Sequence, residues 1–366
     1  MTDAARRTGT TQVYTWEPSD RAIAARYGVR PEDVVRFDTN TSPLAPSWLA
    51  DVLSCPFDPP LNEYPDSEYA ELATAAATYV GVDPSEILVG AGADEVLDIV
   101  AKTFLPPGGA AIVPVPTYGM YGVLTSQRPA RVLAVPRLGP ADGYALDVPG
   151  TIARLSEAQL VWLTVPNNPT GRDEPEANVM AILDAAAGLG PDGPIVVVDE
   201  AYHEFIARST IPLRARYPCL IAVRTLSKAF ALPGIRIGYA VAARQTIARL
   251  ERLRPPGSIS TISATIGAAA LRRPDDATET VRRLSQERGR LAQGLADAGW
   301  SPLPSVTNFL LVHVGDHEAA EAAADRLLHR GLVPRTFGPA NPLRGHLRLT
   351  VRSADENARL IEALRS

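Results

Sequence analysis

The chain has 366 residues, 46% hydrophobic and 21% charged, with a formal net charge of −5; that length suits two domains and a large core. Acidic and basic residues are interspersed without a long basic run, which argues against nucleic acid or an anionic membrane as the main partner. No segment is apolar for long enough to span a bilayer, the N-terminal MTDAARRTGTTQVYTWEPSD has no signal-peptide core, and Cys55 and Cys219 match no metal-ligand spacing, so a cytoplasmic protein with reduced thiols is expected.

Residues 1–40 show no strand pattern and read as an arm packing on the C-terminal part of the chain. From about residue 85, apolar runs alternate with helical patterns. AAIVPVP (110–116), QLVWLTVP (159–166), PIVVVDEAY (194–202) and CLIAVRTLS (219–227) are β-rich. DEVLDIVAKTF (94–104) and EANVMAILDAAAGL (176–189) space their apolar residues as helices do. Buried strands alternating with helices predict an α/β fold, with a largely parallel sheet covered on both faces. Ligands of such sheets gather at the carboxyl ends of the strands, where three of these runs turn polar. Pro255-Pro256 marks a junction between a large domain (41–255) and a smaller α+β domain (256–366). The latter carries helices near 261–272 and 275–298, a strand in NFLLVHV, a helix at 317–330, a strand in HLRLTVRS and a terminal helix.

The stretch VRTLSKAFALPGIRIGY (223–239) concentrates chemistry. A lysine is nucleophilic only when unprotonated, and a desolvated, cation-rich site lowers its proton affinity. Arg236 is a candidate positive neighbour for Lys228. Thr225, Ser227 and Arg236 are donors suited to a phosphate, with Gly234 and Gly238 letting the backbone turn closely around it. Alone, the Ser-Lys pair reads far more readily as a strand-end lysine in solvent, and the chemistry needs the rest of the constellation. A second anion site lies in VGAGADEVLDIV (89–100), where Gly90 and Gly92 precede a helix whose free Ala93 and Asp94 amides favour negative charge. Alternatively, Asp94 simply caps that helix.

Asp199 ends an all-apolar strand, and a buried carboxylate there requires a cationic or donor partner. A protonated pyridine nitrogen is one. Tyr202, and Asn168 in VPNNPTG, could donate to a phenolate oxygen on the same ring; a helix cap and an ordinary turn are the plainer readings of Asp199 and Asn168. Tyr118 in VPTYGMY offers a ring to stack on a flat ligand. Together these residues specify pyridoxal 5'-phosphate joined to Lys228.

The ordered set GAGADE, PTYGMY, PNNPTG, DEAY and RTLSKAFALPGIRIGY resembles the fold-type-I, class I/II pyridoxal-phosphate-dependent aminotransferases over nearly the whole chain. The nearest likeness is to their histidinol-phosphate aminotransferase branch. The resemblance implies a mostly parallel seven-stranded sheet between helices, a smaller α+β domain and an N-terminal arm. It implies that Lys228 forms the internal aldimine and shuttles a proton, and that Asp199 keeps the pyridine nitrogen protonated. Asn168 and Tyr202 would hold the ring oxygen, and Tyr118 would stack on the ring. Gly92, Ala93, Asp94, Thr225, Ser227 and Arg236 would cradle the phosphate. Tyr64 in NEYPDSEY would reach the phosphate of a neighbouring subunit, implying a homodimer with shared sites.

By the same resemblance Arg348 in HLRLTVRS grips the substrate's anionic group, with Asn168 beside it, and Arg335 in GLVPRTFG contacts a substrate phosphate. Histidinol phosphate has no carboxylate, so Arg348 would read its phosphate and, in turn, the carboxylate of glutamate. Three features depart from the branch. Asn40-Thr41-Ser42-Pro43 stands where Asn-Glu-Asn-Pro is usual, His203 follows DEAY, and Arg352 replaces a glycine after Arg348-Leu349-Thr350-Val351. The reading is therefore a transaminase working between an amino donor such as histidinol phosphate and 2-oxoglutarate. An aromatic or general amino-acid aminotransferase, a threonine-phosphate-type decarboxylase and a catalytically silent cofactor sensor stay open beside it.

Overall fold

The computed structural model describes residues 17–365. Its strands in chain order are β1 (Val35–Arg36), β2 (Ile87–Gly90), β3 (Ala110–Val115), β4 (Arg131–Pro136), β5 (Leu160–Thr164) and β6 (Ile195–Asp199). They continue with β7 (Leu220–Thr225), β8 (Gly238–Ala242), β9 (Ser301–Pro302), β10 (Phe309–His313), β11 (Leu332–Val333) and β12 (His346–Thr350). Seven of these form one sheet in the order β2-β8-β7-β6-β5-β3-β4. β8 runs antiparallel to both neighbours, and the remaining pairings are parallel.

Apart from Arg224 inside β7, which is paired with the buried Glu200 at 3.0 Å, the central strands are apolar along most of their length because both faces are covered. Successive residues of β6 prove it: Val196 and Val198 join one buried cluster with Leu163 and Leu183, whereas Val197 joins the opposite cluster with Trp162 and Leu97. Each fully buried side chain of this kind contributes about 1.5–3 kcal/mol. Helices Ala93–Phe104 and Glu176–Gly188 pack on these opposite faces. The last residues of β6 and β7, which leave the apolar layer, are Asp199 and Thr225.

A second, antiparallel sheet has the order β12-β10-β9, and its core includes Leu310, Leu347 and Leu349 against the helix Pro274–Asp297. The closing helix Ala354–Arg365 begins with a reciprocal cap, in which Ser353 Oγ accepts from the Glu356 amide at 3.3 Å and a Glu356 carboxylate oxygen accepts from the Ser353 amide at 3.1 Å.

The strands expected in the four apolar runs form inside those runs, and the expected helices form within a few residues of their predicted ends. The stretch before residue 40 differs from its reading as strand-free. β1 pairs in parallel with β11, with Val35 opposite Leu332 and Arg36 opposite Val333. Val35 and Phe37 are apolar and buried, which pins the segment there. Residues 1–16 of the proposed arm lie outside the described residues.

Candidate active site

Two adjoining cavities open at the carboxyl ends of β5, β6 and β7. The inner one, about 220 Å³, reaches Ala93, Asp199, Tyr202 and Thr225; the outer one, about 500 Å³, reaches Glu17, Arg335, Phe337 and Arg348. Thr39, Tyr118, Asn168 and Lys228 line both. The chain thus brings all its candidate residues but Tyr64 to one place from separate segments of both sheets.

At the floor of the inner cavity, Asp199 is 4% exposed. Its Oδ2 accepts from the Tyr121 hydroxyl at 2.7 Å and its Oδ1 from the Ala201 amide at 3.0 Å. Among the described residues no cation pairs with it. Burial pushes its carboxyl up to about 6, against the pull of those two donors. The Ala201 bond is the local cap foreseen as the plain reading, yet it leaves a desolvated carboxylate with no cation in direct contact, Lys228 acting on it only from a distance. A protonated ring nitrogen would supply one.

Lys228 follows β7 by three residues and its side chain is half-buried. Its Nζ donates to the Asn40 carbonyl at 3.2 Å and sits 5.8 Å from the centre of the Tyr202 ring. Desolvation lowers its proton affinity to about 8, and the nearby Arg348 guanidinium adds to the effect. Arg236, expected as the positive neighbour, acts in the same direction but ranks below Arg348, and Asp94 opposes it. Tyr202 is 2% exposed, with its hydroxyl accepting from Asn40 Nδ2 at 2.9 Å. Burial raises its phenol to about 12, so it stays a donor at neutral pH.

The anion cradle has three walls. The helix Ala93–Phe104 starts without a side-chain cap, leaving its first amides for a ligand. Asp94, proposed as a possible cap, is turned elsewhere: Oδ1 accepts from Tyr118 at 2.9 Å and Oδ2 from Arg236 at 3.2 Å. Thr225 and Ser227 are buried side by side, their hydroxyls 2.9 Å apart, and form the second wall. Arg236, in a left-handed conformation with φ 53°, forms the third and is half-exposed. Two glycines keep the walls close. A Cβ on Gly92, whose φ is 84°, would lie 2.6 Å from Arg236 Nη2. One on Gly238 would collide with the backbone of Gly92 and Ala93. Gly234, expected to serve the same purpose, has open space where its Cβ would be.

In the outer cavity Arg348 Nη1 donates to Asn168 Oδ1 at 2.7 Å, and Nη2 donates to the Asp38 carbonyl. The bond to Arg348 uses the acceptor side of the Asn168 amide, so its donor side is what remains for a ligand. Arg335 lies next to Arg348 and pairs with Glu17 at 2.9 Å. Tyr64 lines neither cavity and is 91% exposed.

Two residues received no role from the sequence, Asn40 appearing there only within a motif that departs from the family. Asn40, buried and left-handed at φ 53°, touches Lys228 through its carbonyl and Tyr202 through its amide. Tyr121 touches Asp199, and its ring stacks on Trp162 at 5.4 Å. A second tyrosine one helical turn after Tyr118 was the available signal for the latter.

Residues 33–364 match the family described as Aminotransferase class I and II, and the chain belongs to that family. It is an aminotransferase of the α/β fold that the sheet order defines. Over 94% of its length it is 34% identical to a histidinol-phosphate aminotransferase of Roseiflexus castenholzii, covering 92% of that protein. A histidinol-phosphate aminotransferase of Xanthomonas campestris is 39% identical over 84% of this chain and 86% of its own. Among solved structures, the Sinorhizobium meliloti histidinol-phosphate aminotransferase in complex with pyridoxal-5'-phosphate superposes with a TM-score of 0.87 and 28% identity, covering 100% of this chain and 99% of that one.

Proposed function

We propose that this aminotransferase moves an amino group between histidinol phosphate and 2-oxoglutarate with pyridoxal 5'-phosphate as its cofactor. The observation that carries the cofactor reading is Asp199, a buried acid without a cationic partner among the described residues, at the floor of the cavity that Lys228 also lines. The uncapped helix start, the paired hydroxyls and the two tightly packed glycines fit a phosphate at the other end of the same cavity.

When bound, the cofactor supplies an aldehyde for an amine to attack and a ring that withdraws electrons while its nitrogen is protonated. Asp199 holds that proton in place. The Tyr202 hydroxyl and the Asn168 amide donate to the ring's oxygen, and Tyr118 closes one wall. Ala93, Asp94, Thr225, Ser227 and Arg236 grip the phosphate. Lys228 Nζ, whose proton affinity burial lowers to about 8, stands between the two cavities and, once deprotonated, can take a proton from a ligand in the outer one and return it.

Substrate choice falls to the outer cavity. Arg348 offers a fork to a carboxylate or phosphate, and Arg335 offers a second cation beside it. The names of the relatives, together with these two guanidinium groups, support a phosphorylated donor alternating with a dicarboxylic oxo acid. We further infer a large domain over residues 41–255 and a small one over 256–366, with residues 1–40 as an arm. The exposure of Leu53, Leu61 and Tyr64 supports a homodimer in which Tyr64 serves the partner's phosphate. Among the described residues no helix is long and apolar enough to cross a membrane, and we place the enzyme in the cytoplasm.

The decisive test is a half-reaction panel on the reconstituted protein with histidinol phosphate, phenylalanine and threonine phosphate. The expected result is the oxo product from histidinol phosphate at the highest kcat/KM. Preference for phenylalanine would shift the reading to an aromatic aminotransferase. Carbon dioxide from threonine phosphate would shift it to a decarboxylase, and absence of any product would sink the transaminase reading.

A further inference from the structure

Two of the positions at which the sequence departs from its family pattern, Thr41 and Arg352, lie 311 residues apart in sequence and touch in space. Arg352 Nη1 donates to the Thr41 carbonyl at 3.3 Å and approaches its hydroxyl at 3.5 Å, while Nη2 donates to Glu356 at 2.9 Å. The guanidinium is therefore strung between a loop and a helix start. Its side chain is 15% exposed and lines neither cavity.

Both ends of that link have a defined purpose. On the helix side, the Ser353–Glu356 cap fixes Glu356, and Asn357 exchanges two hydrogen bonds with the Arg352 backbone at 2.9 and 3.1 Å. Burial opposes ionisation of Glu356, but hydrogen bonds from Arg352 and Ser353 hold its carboxyl below the usual range. That end is an anchor. On the loop side, Thr41 lines the inner cavity and directly follows Asn40. Asn40 is left-handed, a conformation asparagine tolerates better than most residues other than glycine, and its contacts fix the loop in it. Its carbonyl accepts from Lys228 and its side chain donates to Tyr202.

We propose that Arg352 is a positioning residue: by gripping the Thr41 segment it keeps Asn40 closed over Lys228 Nζ and the Tyr202 hydroxyl. It touches neither the reacting atoms nor a bound ligand. Thr350 Oγ1, which accepts from the Asn40 amide at 2.9 Å, and Asn308, which donates to the Asn40 carbonyl at 3.0 Å, hold the same loop from the small sheet. Those two bind Asn40 itself, and Arg352 binds the next residue, Thr41. The inference rests on the role proposed above for Lys228.

Lys228 faces Arg348, Arg236, Asp94 and Asp199 as well as Asn40, and desolvation leads the causes of its lowered proton affinity. Loosening the Asn40 loop admits water to the amine and raises that affinity toward an ordinary lysine's. The chain has only two lysines, Lys102 and Lys228, so the effect is directly readable. Cofactor-free protein is labelled with an amine-selective reagent across a pH series, and the Lys228 peptide is quantified by mass spectrometry. In wild type, a labelling midpoint depressed relative to Lys102 checks the underlying reading by itself. Arg352→Ala is expected to move the Lys228 midpoint up by about half a pH unit or more and leave Lys102 where it is. In the loaded enzyme, kcat should fall about tenfold with donor KM within about twofold. Glu356→Gln, which keeps the cap's shape, should move both readouts the same way by less, and it serves if the alanine variant does not fold. Arg352→Lys should recover part of the loss. A lowered melting temperature with unchanged Lys228 midpoint and unchanged kcat in the folded variants would overturn the proposal.

Discussion

Arg335 and Arg348 are cross-strand neighbours that exchange both backbone hydrogen bonds, Arg335 N–H to the Arg348 carbonyl at 3.1 Å and the reverse at 3.0 Å. Two guanidinium groups are thereby aimed into one cavity by the backbone itself. Their surroundings differ. Arg348 is desolvated enough for burial to lower its proton affinity, and it is held by Asn168 and Asp38. Arg335 meets Glu17 and is 37% exposed along its side chain.

That difference separates their predicted roles. Arg348→Lys keeps a charge but loses the fork, and should raise KM for donor and acceptor alike by about tenfold or more. Arg335→Ala should raise KM for a phosphorylated donor about tenfold while leaving 2-oxoglutarate within about twofold. Steady-state kinetics with each substrate varied separately distinguish the two; equal effects of Arg335→Ala on both would remove its assigned role.

Lys228→Ala should leave a folded protein that neither turns yellow with the cofactor nor retains it covalently after borohydride reduction. Absorbance and intact mass are the measurements. A covalent adduct elsewhere would show that the wrong lysine has been named, and Lys102 is the one alternative the sequence allows.

Asp199→Asn probes a cost visible without cofactor. The folded carboxyl titrates near 6, above its unfolded value near 3.8. The native state therefore holds a proton that the unfolded chain has released between those two values. Apoprotein stability should fall as pH rises from about 4 to about 6, by at most about 3 kcal/mol. The asparagine variant lacks this slope and should melt higher than wild type above pH 6, while losing about a hundredfold or more in turnover when loaded. Parallel calorimetric profiles for the two apoproteins would refute the assignment.

Gly238→Ala drives a methyl group into the Gly92–Ala93 backbone. The amides at the helix start should be displaced, weakening cofactor binding about tenfold or more with a loss of stability of about 1–3 kcal/mol. Gly234→Ala, which meets open space, is the matched control and should change neither. Equilibrium dialysis of the cofactor and denaturant melts give both quantities.

Tyr64→Phe removes only a hydroxyl from a residue that is 91% exposed in the single chain. Sedimentation should show a dimer for wild type and variant alike, while cofactor affinity falls about threefold to tenfold in the variant. An unchanged affinity would detach Tyr64 from the site.

What could be read from the sequence follows from burial. β6 and β7 are legible because a strand covered on both faces must be apolar along most of its length, so Asp199 and the Arg224-Thr225 pair stand out at their ends. β4 alternates exposed and buried residues at a sheet edge, and β8 is a glycine followed by four small or aromatic residues; neither carries so clear a pattern. Distance is what the sequence lacks. The cation that most depresses Lys228 is Arg348, brought in by a different sheet, and not the nearer Arg236. The left-handed Asn40 was likewise hidden, since its conformation is imposed by Thr350, Tyr202 and Asn308 from distant parts of the chain.

Because Glu17 already sits on Arg335, the outer cavity meets every incoming anion with a rival carboxylate in place. A rival on the same chain acts at high effective concentration, whereas an ion from solution competes at its bulk concentration. An ion that makes a single weak contact is expected to lose that competition. A molecule that also engages Arg348 and Lys228 brings enough additional affinity to dislodge the carboxylate. The pair is thus expected to favour ligands that hold on at several points over those that hold on at one.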